Sequence, residues 1–263
     1  MPGSVIAETS RPGQILQFTE DDHRYVIKDK RSGNEVKELV SCTTFIGRYF
    51  PPFDPDGSMC AKCAAKKGIT AEAMRAEWDK NRDEAAAYGT RVHEYMEDLL
   101  KERKPRNTPE NEKERIVFEL GAKFVKSLKP RIECIQPEKI ICDADLGLAG
   151  TIDLLAKDPH ADQLIMIDWK TNKKIEMDTF FNRYAYPPIS HIPDCEFGHY
   201  QLQLNLYEYM LKHAGYIPWS MPVVKYLVHL HMEKGLTTIK VPDKRREIEM
   251  LLEDDRSKQQ VNG

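Results

Sequence analysis

The chain has 263 residues, 41% of them hydrophobic and 31% charged, with a net charge of −3. That suffices for one sizeable α/β core and excludes a strongly basic coat, so any nucleic-acid surface has to be a local patch. No run reaches the roughly eighteen apolar residues of a membrane span, and the opening MPGSVIAETSRPGQ has neither an apolar signal core nor an Arg-rich transit pattern. The expected setting is therefore soluble and intracellular, in cytoplasm or nucleoid, with no membrane partner.

Residues 1–13, with two Pro-Gly pairs and no periodicity, read as a flexible lead-in. A single domain is expected over 14–251, opening with a β-rich part at 14–57. Short β-prone runs over 15–45, broken at Arg31-Ser32-Gly33-Asn34, predict strands around a hairpin turn. GRYFPPFDPDG at 47–57 predicts an aromatic, proline-rich loop. The part at 58–130 is helical in composition, rich in Ala, Glu, Lys and Arg. Gly89 is expected to separate an earlier helix from TRVHEYMEDLLKER, whose Val92, Met96 and Leu99 or Leu100 form an apolar stripe. Beyond a proline-containing link at 104–109, a further amphipathic helix is expected at about 111–128.

The last part, 131–251, opens with β-prone stretches at 131–147, 149–158 and 163–171. The turn Asp158-Pro159-His160-Ala161-Asp162 joins the last two as an antiparallel hairpin. A loop rich in aromatics and proline occupies 175–197, a length that in compact domains is usually functional or mobile. A helix at 199–215 closed by Gly215, strands near 222–231 and 236–241, a polar helix from 243 and a frayed tail at 252–263 complete the chain. The fold class predicted is α/β, a central mixed sheet flanked by helices. No GxxxxGK[ST] phosphate loop is present, so the chain carries no ATPase motor of that type.

Six cysteines, at 42, 60, 63, 134, 142 and 195, read as reduced thiols in an intracellular protein. Cys60 and Cys63 have the spacing of half a metal site, with no second CxxC or CxxH pair following. A zinc-dependent interaction module built on them is one open alternative.

The residues that carry chemistry fall in four groups. Gly89 and His93 lie one turn apart on a helix, with Glu97 on the same face. Gly150 and Asp153 follow in a short apolar run, then Asp168-Trp169-Lys170 after the buried-strand signal LIMI. Gln203 and Tyr207 set an amide and a phenol on one helical face. Two acids and a lysine at the ends of neighbouring strands suit a hard divalent cation held beside a phosphodiester. Singly, each has a plainer reading: a half-buried histidine, a strand-end aspartate, an Asp168–Lys170 ion pair, or a core-edge glutamine and tyrosine.

Taken together, GxxxH at 89–93, GxxD at 150–153, DxK at 168–170 and QxxxY at 203–207 resemble, in order, the RecB-like branch of the PD-(D/E)XK nucleases. The resemblance covers about 89–207, and the stretches HRYVI…SCTTFIGRYFPPFD and HIPDCEFGHYQLQLNLY resemble a viral or phage subgroup. It implies a restriction-endonuclease-like core and a Mg²⁺- or Mn²⁺-dependent deoxyribonuclease. The expected activity is that of an exonuclease on DNA ends or single strands, in replication, recombination, repair or phage or viral genome processing. It implies His93, Asp153, Asp168 and the Trp169 backbone carbonyl as metal ligands, and Lys170 as the group that positions the attacking water. Gln203 and Tyr207 would brace Lys170 or contact a phosphate.

Relatives with an iron–sulfur cluster carry three cysteines after the core. No cysteine follows Cys195, so no cluster is expected. No helicase is fused to this chain, so a helicase, single-strand-binding or recombination partner would act in trans. Lys173 and Lys174, beside the DxK strand, are candidate phosphate contacts, whereas Lys123, Lys126, Lys129 and Arg131 fit a phosphate track or a solvated helix face equally. Tyr49, Phe50, Phe53, Phe180, Phe181, Tyr184 and Tyr186 would stack unpaired bases or seal the core. From a different class, a catalytically silent nucleic-acid-binding or complex-organising protein of the same fold is the alternative function.

Overall fold

A computed structural model describes residues 4–19, 24–55, 57–179 and 182–262. The fold is α/β: nine strands form one mixed sheet flanked by helices. Strands β1 (Ser4–Glu8), β2 (Gln14–Thr19), β3 (Arg24–Asp29) and β4 (Glu35–Ser41) make an antiparallel meander. The short helix α1 (Cys42–Gly47) follows, capped by the Ser41 hydroxyl on the Thr44 N–H. Helices α2 (Ser58–Lys67), α3 (Ala71–Leu100) and α4 (Glu112–Leu128) come next. Then β5 (Glu133–Asp143) pairs antiparallel with β6 (Leu148–Asp158), which forms the expected hairpin with β7 (Gln163–Lys170), before α5 (Glu196–His213), β8 (Val223–His231), β9 (Gly235–Lys240) and α6 (Arg245–Asn262). Among the described residues no helix is long and apolar enough to cross a membrane.

Four boundaries differ from the sequence reading. Part of the expected lead-in is strand β1, whose five residues are too short for a legible alternation and gain order by pairing with β2. The turn of helix at α1 lay inside an expected β region. Gly89 does not end a helix, because strong helix formers on both sides absorb the roughly 1 kcal/mol cost of one interior glycine. The C-terminal tail continues as helix to Asn262, anchored where Ile248, Leu251 and Leu252 are buried.

Two cores sandwich the sheet. On one face, Phe45, Leu202, Leu206, Ile248 and Leu251 from α1, α5 and α6 pack on Ile152, Met166 and Leu227. On the other, Val92, Met96, Val117 and Phe118 from α3 and α4 pack on Leu154, Ile167, Trp169 and Val228. Beyond them, residues 79–87 of α3 are all exposed, and α2 packs on the first turns of α3 through Cys60, Ala64 and Met74. Cys60 is buried there with its thiol toward the Ala71 carbonyl.

Sheet topology prepares the site. Strand β5 runs along one edge of β6, while β4 and β7 share the other. The β4 ladder reaches only Leu148 and Ala149, and the β7 ladder begins at Leu154. Residues Gly150–Asp153 therefore lie between two ladders, unpaired on that edge. Past Ile167, β7 leaves β6 and pairs only with β8, so Asp168, Trp169 and Lys170 stand where two strands part.

Candidate metal centre

The parting of β6 and β7 leaves backbone groups that the ladder would otherwise satisfy, and side chains take over. The Trp169 N–H donates to Asp153 Oδ2 at 2.8 Å. The Trp169 carbonyl accepts from His93 Nε2 at 3.1 Å, an imidazole delivered by α3. In the neutral ring this leaves the Nδ1 lone pair facing two acids, 3.5 Å from Asp153 Oδ2 and 4.0 Å from Glu138 Oε1. One ligand atom from each of His93, Glu138 and Asp153 falls within 4.8 Å of the others.

Glu138 was not expected. It lies on β5 between the Pro137–Leu154 and Lys139–Ile152 pairs, across from Asp153. Its φ of 50° is rare for a residue with a Cβ, and such strain gathers at functional sites. The only signal for it in the sequence was a lone acid in the β-prone stretch IQPEKII just before the GxxD hairpin.

Lys170 and Asp168 occupy the other side of β7. Strand alternation puts Met166 in the α5-side core and Ile167 and Trp169 in the α3-side core, so Asp168 and Lys170 face α5. Lys170 Nζ pairs with Asp168 Oδ2 at 2.7 Å and sits 4.1 Å from the centre of the Tyr200 ring. Tyr200 in turn accepts from Asn172 Nδ2 at 2.9 Å. Asp168 thus lies outside the three-ligand group, because His93 arrives from the opposite face. Tyr200, rather than Gln203 or Tyr207, braces Lys170.

Gln203 Nε2 donates to the Tyr207 hydroxyl at 2.8 Å. Tyr207 packs so tightly on Gly150 that a Cβ there would come 2.5 Å from Tyr207 Cε1. The glycine of GxxD is thus a packing requirement. Both Gln203 and Tyr207 line a cavity of about 720 Å³ together with His93, Glu138, Glu97, Lys101 and Arg106. Glu97 accepts from Lys101 and, at 2.8 Å, from Arg106.

The electrostatics mark crowded acids whose protonated forms are favoured. Burial, then the nearby Asp153 and Glu97, push the Glu138 carboxyl up to about 9. Burial likewise raises Asp153 to about 6, opposed by His93 and reinforced by Asp168. Lys170 is held above its ordinary value: burial disfavours its charge, but Asp168 and Asp153 outweigh it. A nitrogen and two carboxyls crowded this closely fit a divalent cation, which would take the place of the proton that Glu138 holds, whereas the Trp169 carbonyl is taken by His93 Nε2 on the other side of the ring.

Other candidates are dispersed. Lys173 and Lys174 are exposed after β7, Lys174 meeting Glu176 at 2.7 Å. Tyr49 and Phe50 are core residues, the Tyr49 hydroxyl donating to Asp254 at 2.9 Å and Phe50 stacking on His199. Phe53, Tyr184 and Tyr186 are exposed. Phe180 and Phe181 lie outside the described residues. Cys60 and Cys63 belong to no metal-binding group among the described residues. No protein-family model matches this chain, and no curated protein matches it either.

Proposed function

We propose that this protein is a Mg²⁺- or Mn²⁺-dependent deoxyribonuclease of the PD-(D/E)XK kind, RecB-like, acting as an exonuclease on DNA ends or single strands. The observation that carries this reading is the meeting of His93, Glu138 and Asp153 within 4.8 Å where β6 and β7 part, beside the end of the strand that carries Lys170. The order GxxxH, GxxD, DxK, QxxxY along the chain supports it independently.

His93, Glu138 and Asp153 would hold the ion, the Trp169 carbonyl would fix the imidazole through Nε2, and Asp168 is close enough to act electrostatically on Asp153. When bound, the ion supplies Lewis acidity toward a phosphodiester and makes hydroxide accessible near neutral pH. The protein's own groups do the rest. Asp168 keeps the Lys170 ammonium charged, so Lys170 acts as a donor that orients water and offsets charge developing on phosphate. Tyr200 fixes its direction by lying under the ammonium. Gln203, held by Tyr207, directs an amide into the cavity wall beside the acids.

The test is incubation of end-labelled linear and closed circular DNA with Mg²⁺, Mn²⁺ or EDTA. Linear DNA is expected to be degraded with either ion and spared in EDTA, while closed circles resist. Lys170→Met is expected to bind DNA without cutting it. A wild-type protein that binds DNA and cuts none of these substrates would instead be the non-catalytic, nucleic-acid-binding relative.

A further inference from the structure

A chain of contacts runs from the Lys170 ammonium to a histidine that belongs to none of the four sequence motifs. Strands β7 and β8 are parallel, and Lys170 stands opposite His229 where their ladder ends. On either side of His229, Val228 and Leu230 enter the α3-side core with Trp169. Strand alternation therefore turns His229 to the α5 side, the side that Lys170 faces. There it is buried, 7% exposed.

Strand β7 ends at Lys170, and two residues later a side chain takes over from the ladder. The Asn172 carbonyl accepts from His229 Nε2 at 2.7 Å. A carbonyl only accepts, so the imidazole carries a proton on Nε2. The Asn172 amide in turn donates to the Tyr200 hydroxyl at 2.9 Å, and the Tyr200 ring lies 4.1 Å from the Lys170 ammonium. The short segment from Lys170 to Asn172 is thus tied at both ends, by the β8 ladder and by the imidazole. Asp168 supplies opposite charge at 2.7 Å, but a single ion pair lets an ammonium pivot. The ring below it sets the direction.

We propose that His229 is a positioning residue for Lys170. It anchors the Asn172 main chain, the Asn172 amide anchors the Tyr200 hydroxyl, and the Tyr200 ring aims the ammonium. What the aimed ammonium does to a phosphodiester rests on the nuclease reading; the aiming itself does not.

The test reads the Lys170 side chain by NMR, in protein carrying ¹³C at lysine Cε and without metal or DNA. Protons held over an aromatic face resonate upfield of those on solvated lysines, and the Lys170 signal is identified by its loss in Lys170→Met. Tyr200→Leu should abolish the upfield shift. His229→Phe and Asn172→Ala should move the signal most of the way to the solvated position. His229→Gln, whose amide can still donate to the Asn172 carbonyl, should keep it upfield. The Lys113 signal, held by Tyr88 at 3.7 Å on another element, should stay unmoved in every variant and reports an intact fold. With linear DNA and Mg²⁺, His229→Phe should lower kcat by up to about 10²-fold while KM stays unchanged.

A wild-type Lys170 signal with no upfield shift overturns the proposal. So does a shift that survives in His229→Phe, or one lost equally in His229→Phe and His229→Gln. The two readings fail separately. Cleavage by the wild type with the shift retained in His229→Phe sinks the role of His229 alone. A shift lost in His229→Phe, with no cleavage by the wild type in Mg²⁺ or Mn²⁺, sinks the hydrolysis alone.

Discussion

The Asp153 carboxylate accepts the main-chain N–H of Trp169 at 2.8 Å, taking the place of a carbonyl that β6 would have offered had the two strands stayed paired. One side chain therefore serves both the backbone and the proposed ion.

Those two duties separate on substitution. In Asp153→Asn the amide oxygen can still accept from Trp169, whereas Asp153→Ala leaves a buried N–H without an acceptor, costing about 1–3 kcal/mol. Urea denaturation should find the asparagine variant near wild type and the alanine variant destabilised by that amount. DNA cleavage should fall in both, by about 10²–10³ or more.

Glu138→Gln should weaken Mn²⁺ binding by about 10–100-fold in titration calorimetry. Wild-type affinity should rise between pH 6 and 9, because the Glu138 carboxyl, at about 9, must shed its proton to act as a ligand. The glutamine variant should show a flatter dependence. Equal Mn²⁺ affinity in the two proteins would remove Glu138 from the ligand set.

Gly150→Ala would drive a methyl to 2.5 Å from Tyr207 Cε1. Overpacking of this kind costs about 1–3 kcal/mol and should lower the thermal midpoint accordingly. Adding Tyr207→Leu relieves the clash, so the double variant should lose less stability than the sum of the two singles.

Acid sensitivity should arise from two buried carboxylates that tie α3 to the chain after it. Asp98 is 2% exposed and paired with Arg106 at 2.7 Å; Glu114 is 3% exposed and paired with Arg91 at 2.9 Å. Hydrogen bonds from these arginines hold both carboxyls below their ordinary values of 3.8 and 4.5. A lowered folded value means the stabilisation is complete above the unfolded value and lost as pH falls through the folded one. Denaturation between pH 7 and 2 should show that loss, with a shallower acid limb in Asp98→Asn. A limb as steep as wild type would assign acid sensitivity elsewhere.

The strands, helices and hairpin turns of residues 111–251 were legible because apolar periodicity and turn residues agree there. His93 and Asp153, named from the GxxxH and GxxD spacings, are brought together with Glu138, whereas Asp168 and Lys170, named from DxK, pair with each other. Glu138 was not legible, since its position opposite Asp153 exists only once β5 and β6 are in register. Tyr200 was hidden similarly: it meets Lys170 because strand alternation turns that lysine toward α5. The placement of Asp168 and His93 on opposite sides of β7 also depends on which helix covers which face, and local sequence carries no record of that. Gly89 misled because a single glycine is tolerated inside a run of good helix formers.

Helix α3 runs unbroken for 30 residues, about 45 Å, from the small α2 cluster past nine solvent-surrounded residues to the imidazole of His93. It is a rigid boom with no joint along its length. Its inner end is clamped by Val92 and Met96, both fully buried, so the imidazole is held from a different element than the two carboxylates rooted in the sheet.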